Sequence, residues 1–133
     1  MSYMTAQTAD DLLWYDGENA VAYNVLTDVD PVVKVALDMF SEDMSAVTGR
    51  KAIPTKKGAL RIVELDKASK KVRKELMRKD VPVEEIMSSC DGFHISVTDG
   101  KVLIVGKNGR GTAYGILEMS RMAGVNPWIW WGD

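Results

Sequence analysis

Apolar and polar positions alternate most regularly at helical spacing in residues 30–49, "DPVVKVALDMFSEDMSAVTG". Asp30 suits the N-cap of a helix, and Pro31 suits the first turn, where a missing N–H is tolerated. Gly49 suits the left-handed position that ends a helix. The pattern therefore predicts a helix over 31–48 whose buried stripe is Val33, Leu37, Phe40, Met44 and Val47.

Two-residue alternation predicts the strands. The segments "AVAYNVL" (20–26) and "ALRIVEL" (59–65) each alternate and contain β-branched residues. Residues 92–106 contain two further strands around Asp99-Gly100, a pair suited to a type I′ turn. This hairpin predicts that three residue pairs face each other: Thr98 with Lys101, Val97 with Val102, and Ile95 with Ile104.

The hairpin register also predicts which side chains enter the core. One face carries Phe93, Ile95, Val97, Val102 and Ile104, and we expect it to be buried. The opposite face carries His94, Ser96, Thr98 and Lys101, together with Leu103 and Val105. His94 is therefore expected at an exposed or edge position.

The remaining segments complete a single α+β domain over residues 1–133. Pro54 and Gly58 indicate a loop at 50–58, the narrow apolar stripe of 66–79 predicts a surface helix, and "VEEIM" (83–87) adds a helical turn. A last helix is predicted from about Thr112 to Ala123. The order of strand, helix, strand, helix, hairpin and helix predicts a two-layer α+β fold, with a mixed sheet and helices packed on one face.

Charge is distributed unevenly, which raises the question of nucleic acid. Residues 50–79 contain twelve basic and three acidic residues, although the net charge of the chain is −2. No aromatic residue lies in this segment to stack on a base. We therefore interpret the basic residues as the solvated face of a helix, and expect neither a nucleic-acid partner nor, without a long apolar run, a membrane span.

A glycine-rich segment, "GKNGRGTAYG" (106–115), joins a strand to a helix and invites comparison with phosphate-binding loops. A Walker loop requires Lys before the Ser/Thr, where this chain has Gly111, and the dinucleotide motif requires glycine where it has Tyr114. A tight turn, with Gly115 at a close helix contact, is the favoured interpretation, and no cofactor is expected. The helix start remains a candidate anion-binding or substrate-pocket loop, formed by Asn108, Arg110, Gly111 and Thr112.

The sequence gives no sign of a metal site, a nucleophile or an acid/base pair. His94 and Cys90 are the only histidine and cysteine, too few for a zinc site, and no nucleophile is placed beside His94. The acid pairs Asp10-Asp11, Glu42-Asp43 and Glu84-Glu85 lack an apolar pocket to hold one carboxyl protonated. The sequence therefore predicts no catalytic residue and no metal site.

The C-terminal segment "NPWIWWGD" (126–133) places three tryptophans within four residues. Aromatic residues clustered beside a terminus are typical of an interface, and tryptophan faces also stack on sugar rings. The sequence leaves both interpretations open.

The segment "GRGTAYGILEMSRMAGVNPWIWWGD" (109–133) resembles part of the family 115 glycoside hydrolases, which are α-glucuronidases that act on glucuronoxylan. In that family, a Gly-Arg-Gly-Thr-x-Tyr-Gly turn opens a helix, and a Gly-Val-x-Pro-Trp-x-Trp-Trp-Ala-Asp run leads into the catalytic barrel. This chain matches both motifs, with Gly132 at the alanine position. Residues 30–49 also resemble the first helix of the family. Domains of this kind are similar to the second domain of chitobiases and to the N-terminal domain of family 67 α-glucuronidases.

The resemblance implies a non-catalytic N-terminal accessory domain, with 126–133 as the start of a bridge into a (β/α)₈ barrel. Such a barrel needs about 250 residues, so it is not contained in this chain. The resemblance further implies that the catalytic acids lie in the barrel, that the partner is the barrel of the same polypeptide, and that the polysaccharide is bound through it. Trp128, Trp130, Trp131 and Asp133 would then form the interdomain interface, and no activity is expected from this chain alone.

Three further expectations complete the sequence analysis. The parent enzyme is expected to be exported to the periplasm or the extracellular space. The isolated domain is expected to associate with itself through its tryptophans if they are exposed. The alternatives are a free-standing carbohydrate-binding module that uses the tryptophans and, third, a nucleic-acid-binding domain that uses the basic helix.

Overall fold

A computed structural model describes residues 20–98 and 101–125. Its strands are β1 (Ala22–Val25), β2 (Ile53–Pro54), β3 (Leu60–Glu64), β4 (Phe93–Thr98) and β5 (Lys101–Gly106). Its helices are α1 (Pro31–Thr48), α2 (Lys70–Arg78), α3 (Val83–Ser88) and α4 (Gly109–Val125), and a 3₁₀ turn (Leu65–Lys67) follows β3. The element order agrees with the sequence prediction, with β2 as a short addition in the predicted loop.

The five strands form one mixed sheet in the order β2-β1-β3-β5-β4. All neighbouring pairs are parallel except β4 and β5, which form the antiparallel hairpin. The hairpin register is the predicted one: Ile95 faces Ile104, Val97 faces Val102, and Thr98 faces Lys101. Its turn, Asp99-Gly100, lies outside the described residues. The α+β class and the mixed sheet are confirmed.

The two long helices, α1 and α4, pack side by side on one face of the sheet. They bury Phe40, Met44, Ile116 and Met119 completely against the sheet. The sheet contributes the predicted hairpin face, with Ile95, Val102 and Ile104 in the same core. α1 ends where it was expected to, because Gly49 adopts a left-handed conformation with φ 82°.

The opposite face of the sheet is also covered, by the short helices α2 and α3. A second apolar core joins Leu76 of α2 and Ile86 of α3 to Val63, Leu103 and Val105 of the central strands. Helices thus lie on both faces, whereas the sequence predicted them on one. The reason is local to β5, where Leu103 and Val105 make the second face apolar and therefore favour its burial.

Candidate functional site

Polar side chains collect where the parallel strands β1, β3 and β5 end. We call this region the carboxyl edge and define it as residues 26–30, 64–67 and 106–110. After β1 the chain continues to β2, which lies on one side of the β1–β3 pair in the sheet. After β3 it continues to the β4–β5 hairpin, which lies on the other side of that pair. Ligands of open parallel sheets bind at such a reversal, so the carboxyl edge is the place to look for a site.

Glu64 is the central residue of the carboxyl edge and is completely buried. Its Oε1 accepts a hydrogen bond from the backbone N–H of Asp30 at 3.0 Å, and its own N–H donates to Thr27 Oγ1 at 3.0 Å. Burial raises the pKa of Glu64 to about 7, and the neighbouring Asp66 adds to the increase, while the Asp30 N–H opposes it. Glu64 therefore ties the end of β3 to the start of α1.

A surface ion pair covers this buried carboxyl group. Lys67 Nζ lies 2.6 Å from Asp30 Oδ1 and 3.8 Å from Glu64 Oε2. Asp30 occupies the N-cap position as predicted, but its side chain makes no capping hydrogen bond. Glu64 thus accepts the Asp30 N–H at the start of α1, and the Asp30 carboxylate pairs with Lys67.

Asn108 organises the predicted 108–112 loop. Its Oδ1 accepts a hydrogen bond from the Gly111 N–H at 2.8 Å, and its Nδ2 donates to Asp91 Oδ1 at 3.0 Å. Thr112 is buried, and its hydroxyl donates to the Asn108 carbonyl at 2.8 Å. The structure therefore brings three of the four predicted residues together as the N-terminal cap of α4.

Arg110, the fourth predicted residue, is exposed. It lies in the first turn of α4, and its Nη1 is 3.6 Å from Asp91 Oδ2. Its side chain is 70% exposed, so the guanidinium remains accessible to an anionic group. Binding of an anion by this loop stays a prediction.

The glycines of the loop are explained by close packing. A Cβ on Gly111 would overlap the Gly92 carbonyl oxygen, and a Cβ on Gly106 would overlap the backbone of Thr112. A Cβ on Gly115 would lie 2.6 Å from Ile104 Cγ2. These contacts place the start of α4 directly against the hairpin, which supports the tight-turn interpretation.

His94 lies on the edge strand β4, but its side chain is only 8% exposed. It lines a cavity of about 200 Å³ with Pro82, Glu85, Ile86, Ser89, Gly92 and Phe93. Burial lowers the pKa of His94. His94 therefore lies at an edge, one of the two positions expected for it, but it is not exposed, because α3 and the segments around it cover this face of the hairpin.

Candidate metal ligands do not cluster in the described part of the chain, and the lysines of α2 are exposed. Within residues 20–98 and 101–125, no three His, Cys, Asp or Glu side chains are grouped as metal ligands would be. The exposed lysines of α2 include Lys70, Lys71 and Lys74, and the helix buries Leu76 against the sheet. This arrangement is that of a solvated helix face.

The four residues predicted for an interdomain interface, Trp128, Trp130, Trp131 and Asp133, lie outside the described residues. In the described part of the chain, no helix is long and apolar enough to cross a membrane.

Sequence reasoning missed Glu64 of the carboxyl edge and Asp91, which contacts Asn108 and Arg110 of that edge. A signal for Glu64 was present, because it shares the alternation of Leu60 and Ile62 and so points towards the same core. Asp91 had no local signal, since its partners Asn108 and Arg110 lie far along the chain.

Comparison with known proteins finds similar solved structures. No protein-family model matches this chain, and no curated protein matches it. Among solved structures, it is similar to one described as a novel family GH115 4-O-methyl-α-glucuronidase with specificity for decorated arabinogalactans. The TM-score is 0.63 at 29% sequence identity, and the match covers 86% of this chain but 15% of that chain. The predicted resemblance is confirmed: in sequence and in fold, the chain is similar to one part of a family 115 glycoside hydrolase.

Proposed function

We propose that this chain is a non-catalytic N-terminal domain of an α-glucuronidase-like glycoside hydrolase, and that it packs against and supports a catalytic barrel. The observation that carries the proposal is the similarity over 86% of this chain to 15% of a family GH115 enzyme. A segment of this size is too small to contain a (β/α)₈ barrel, which needs about 250 residues.

The chemistry of the described carboxyl groups supports a non-catalytic role. Glycoside hydrolysis needs two carboxyl groups that flank a sugar, one of them held protonated. Glu64 has the raised pKa of a general acid, but its side chain is fully buried and its Oε1 is bound to the Asp30 N–H. A sugar therefore has no access to it, and its role is to hold the carboxyl edge together.

The outer surface of α1 supports the packing role. Val32, Val35 and Met39 follow one another at helical spacing and are 43%, 56% and 50% exposed. An exposed apolar stripe of this kind is typical of a surface that contacts another domain. Arg110 of the carboxyl edge and its ion-pair partner Asp91 are the groups that we propose to lie nearest to the substrate pocket of the barrel.

The first test is an assay of this chain against glucuronic-acid-decorated xylan oligosaccharides and decorated arabinogalactans. We expect no release of glucuronic acid. Release at a rate proportional to the concentration of the chain, and unchanged by further purification, would contradict the proposal.

The carbohydrate-binding alternative is tested on the same samples by calorimetry with both glycans. We expect no binding. If a glycan binds the chain and the variant Trp130→Ala/Trp131→Ala loses it, the free-standing binding module replaces the accessory domain as the better explanation.

A further inference from the structure

The apolar stripe of α1, formed by Val32, Val35 and Met39, lies on the flank of that helix next to α4. Met39 precedes Asp43 by one helical turn, and Asp43 Oδ2 accepts a hydrogen bond from Ser120 Oγ of α4 at 2.6 Å. The stripe therefore borders the seam where the two helices meet. All three of its side chains are exposed, so the seam presents an apolar surface to its surroundings.

The α4 side of the seam is also apolar. Leu117 lies three residues before Ser120, on the same flank of α4, and is partly buried against the core beneath the helices. Tyr114, a further turn towards the start of α4, is exposed. The seam thus offers aliphatic, thioether and aromatic groups, which are good contacts for a tryptophan side chain.

The two helices run in the same direction, which fixes where α4 ends relative to the seam. A Cβ on Gly109, at the start of α4, would overlap the side chain of Asp30, at the start of α1. The hydrogen bond between Ser120 and Asp43 matches the helices again further along. Because both helices rise about 1.5 Å per residue, the end of α4 at Val125 is level with the last turn of α1.

The segment that follows α4, residues 126–133, starts from that level with the sequence "NPWIWWGD". Proline disfavours a helical conformation of the residue before it, so Pro127 favours a change of direction at the end of α4. Six residues follow Pro127, and an extended chain advances about 3.3 Å per residue, so these residues can span about 20 Å.

This span matches the positions of the exposed side chains on α1. Measured back along the helix axis from Thr48, at the end of α1, Met39 lies at about 14 Å and Val35 at about 20 Å. A segment that reverses at its proline reaches about 13 Å at Trp131 and about 20 Å at Asp133. The segment therefore has the length to cover both side chains.

We propose that residues 126–133 fold back along the seam and cover the apolar stripe, with Trp130 and Trp131 as the main contacts. Neighbouring side chains of an extended chain point to opposite sides, so one indole lies on α1 and the other on α4. Docking removes apolar surface of the indoles and of the stripe from water, which is the driving force. The occupant belongs to the same chain, so the docked form is a monomer.

Charge favours this segment over the other terminal segment, residues 1–19. Residues 1–19 contain four acidic residues and no Lys or Arg, and Asp43 is exposed beside the seam. Residues 126–133 contain one acidic residue, Asp133, at the end that would lie furthest from Asp43. Repulsion between like charges is therefore smaller when the C-terminal segment occupies the seam.

Tryptophan emission tests whether the segment is covered. In the full chain with Trp14→Phe, the remaining tryptophans all lie in residues 126–133, so the emission reports on this segment alone. We expect emission at a shorter wavelength than that of the free peptide 126–133, and no dependence on the concentration of the chain. Emission at the peptide wavelength would overturn the proposal. A shift that grows with concentration would do so as well, by assigning the tryptophans to a second copy.

Two variants in the same background test the site by the same substitution. Met39→Asp places a charge on the stripe, where the side chain is 50% exposed, and should move the emission towards the peptide wavelength. Met77→Asp, on α2 at 47% exposure, is the matched control and should leave the emission unchanged. Circular dichroism checks that both variants fold. Equal emission from the two folded variants would place the tryptophans elsewhere.

Disulfide trapping tests the path of the segment without relying on emission. Cys90→Ser removes the exposed native thiol from the full chain. In that background, the pair Val35→Cys/Asp133→Cys should form an intramolecular disulfide about tenfold faster than Val35→Cys/Asn126→Cys, whose Cα atoms docking would hold about 20 Å apart. Mass spectrometry of the unreduced monomer measures both rates. Equal rates, or only intermolecular disulfides, would contradict the proposed path.

A last variant tests the N-terminal segment. In the Trp14→Phe chain, serine in place of Leu12, Leu13 and Tyr15 should leave the emission unchanged, and a move to the peptide wavelength would overturn the assignment of the seam to residues 126–133. Under the proposed function, the stripe would contact the barrel through this docked segment. None of these measurements involves a glycan, so their failure is distinguishable from failure of the proposed function, which the glucuronic-acid assay decides.

Discussion

Glu64 shows how a single buried acid shapes this domain. A carboxyl group without solvent contact is costly to ionise, and here one of its oxygens is held by the Asp30 N–H while Lys67 lies 3.8 Å from the other. Its folded pKa of about 7 exceeds the ordinary value of a glutamate. The folded state therefore holds the Glu64 proton more tightly than the unfolded state does.

Linkage gives the sign of the resulting pH dependence. The stability contributed by protonated Glu64 is fully present below its ordinary pKa of 4.5 and is lost as the pH rises through about 7. In Glu64→Gln this loss is absent. Relative to wild type, the free energy of unfolding of the variant should therefore increase by about 2 kcal/mol between pH 5 and pH 8.5.

Urea melts of both proteins across this pH range check the prediction. Subtracting the wild-type free energy of unfolding from that of the variant at each pH removes the contributions of other groups. One of these is His94, whose lowered pKa makes the stability rise with pH, opposite to the effect of Glu64. Glu75→Gln, at an exposed glutamate on α2, is the matched control for replacing a carboxyl group by an amide. A free-energy difference between Glu64→Gln and wild type that does not change with pH would mean that Glu64 titrates normally.

Gly115 tests the close contact between α4 and the hairpin. A Cβ at this position would lie 2.6 Å from Ile104 Cγ2 and 3.3 Å from Phe93 Cδ2, and both atoms belong to side chains packed in the core. We expect Gly115→Leu to destabilise the fold by about 1–3 kcal/mol through overpacking. Arg110→Ala, on the exposed side of the same helix, should change the stability by less than about 0.5 kcal/mol. Equal urea midpoints for Gly115→Leu and wild type would refute the contact.

At the scale of elements, Asn108 decides how α4 begins. Its side chain accepts from the Gly111 N–H and donates to Asp91, so it joins the helix start to the segment before β4. Loss of such a cap costs about 1–2 kcal/mol, and we expect this for Asn108→Ala in chemical denaturation. Asn108→Asp keeps the acceptor for Gly111 but faces Asp91 with a second carboxylate, so added salt should restore part of its stability and none of that of Asn108→Ala.

The basic helix α2 provides a second prediction at this scale. Its lysines are solvated and no aromatic residue accompanies them between 50 and 79, so we expect no micromolar binding of DNA or RNA near physiological salt. Fluorescence anisotropy with labelled single- and double-stranded oligonucleotides measures this. Micromolar binding that disappears on charge reversal at Lys70, Lys71 and Lys74 would establish the nucleic-acid interpretation instead.

The elements that the sequence predicted best are those whose signals are local. Helix α1 follows from its apolar spacing and its glycine end, and the hairpin register follows from Asp99-Gly100 with its flanking alternation. The environments of Glu64 and His94 depend on partners from other elements, such as Asp30, which is 34 residues away from Glu64. The alternation of β3 indicates that Glu64 points towards the core, but spacing within one strand identifies neither the partner of Glu64 nor the helix that covers His94.

At the scale of the whole molecule, two helical layers enclose a mixed sheet, and the polar groups gather at its carboxyl edge. Two polar side chains of that edge are already hydrogen-bonded to helix starts, since Glu64 binds the start of α1 and Asn108 caps α4. Exposed features of the described residues include the apolar stripe of α1 and Arg110. This distribution agrees with the proposed accessory role.

The central claim is that this domain serves a catalytic barrel in the same polypeptide. Sequencing of the gene beyond codon 133 tests it most directly. We predict an open reading frame that continues through "PWIWWGD" into at least about 250 residues of alternating strand and helix patterns. A stop codon immediately after Asp133 in the natural gene would contradict the account.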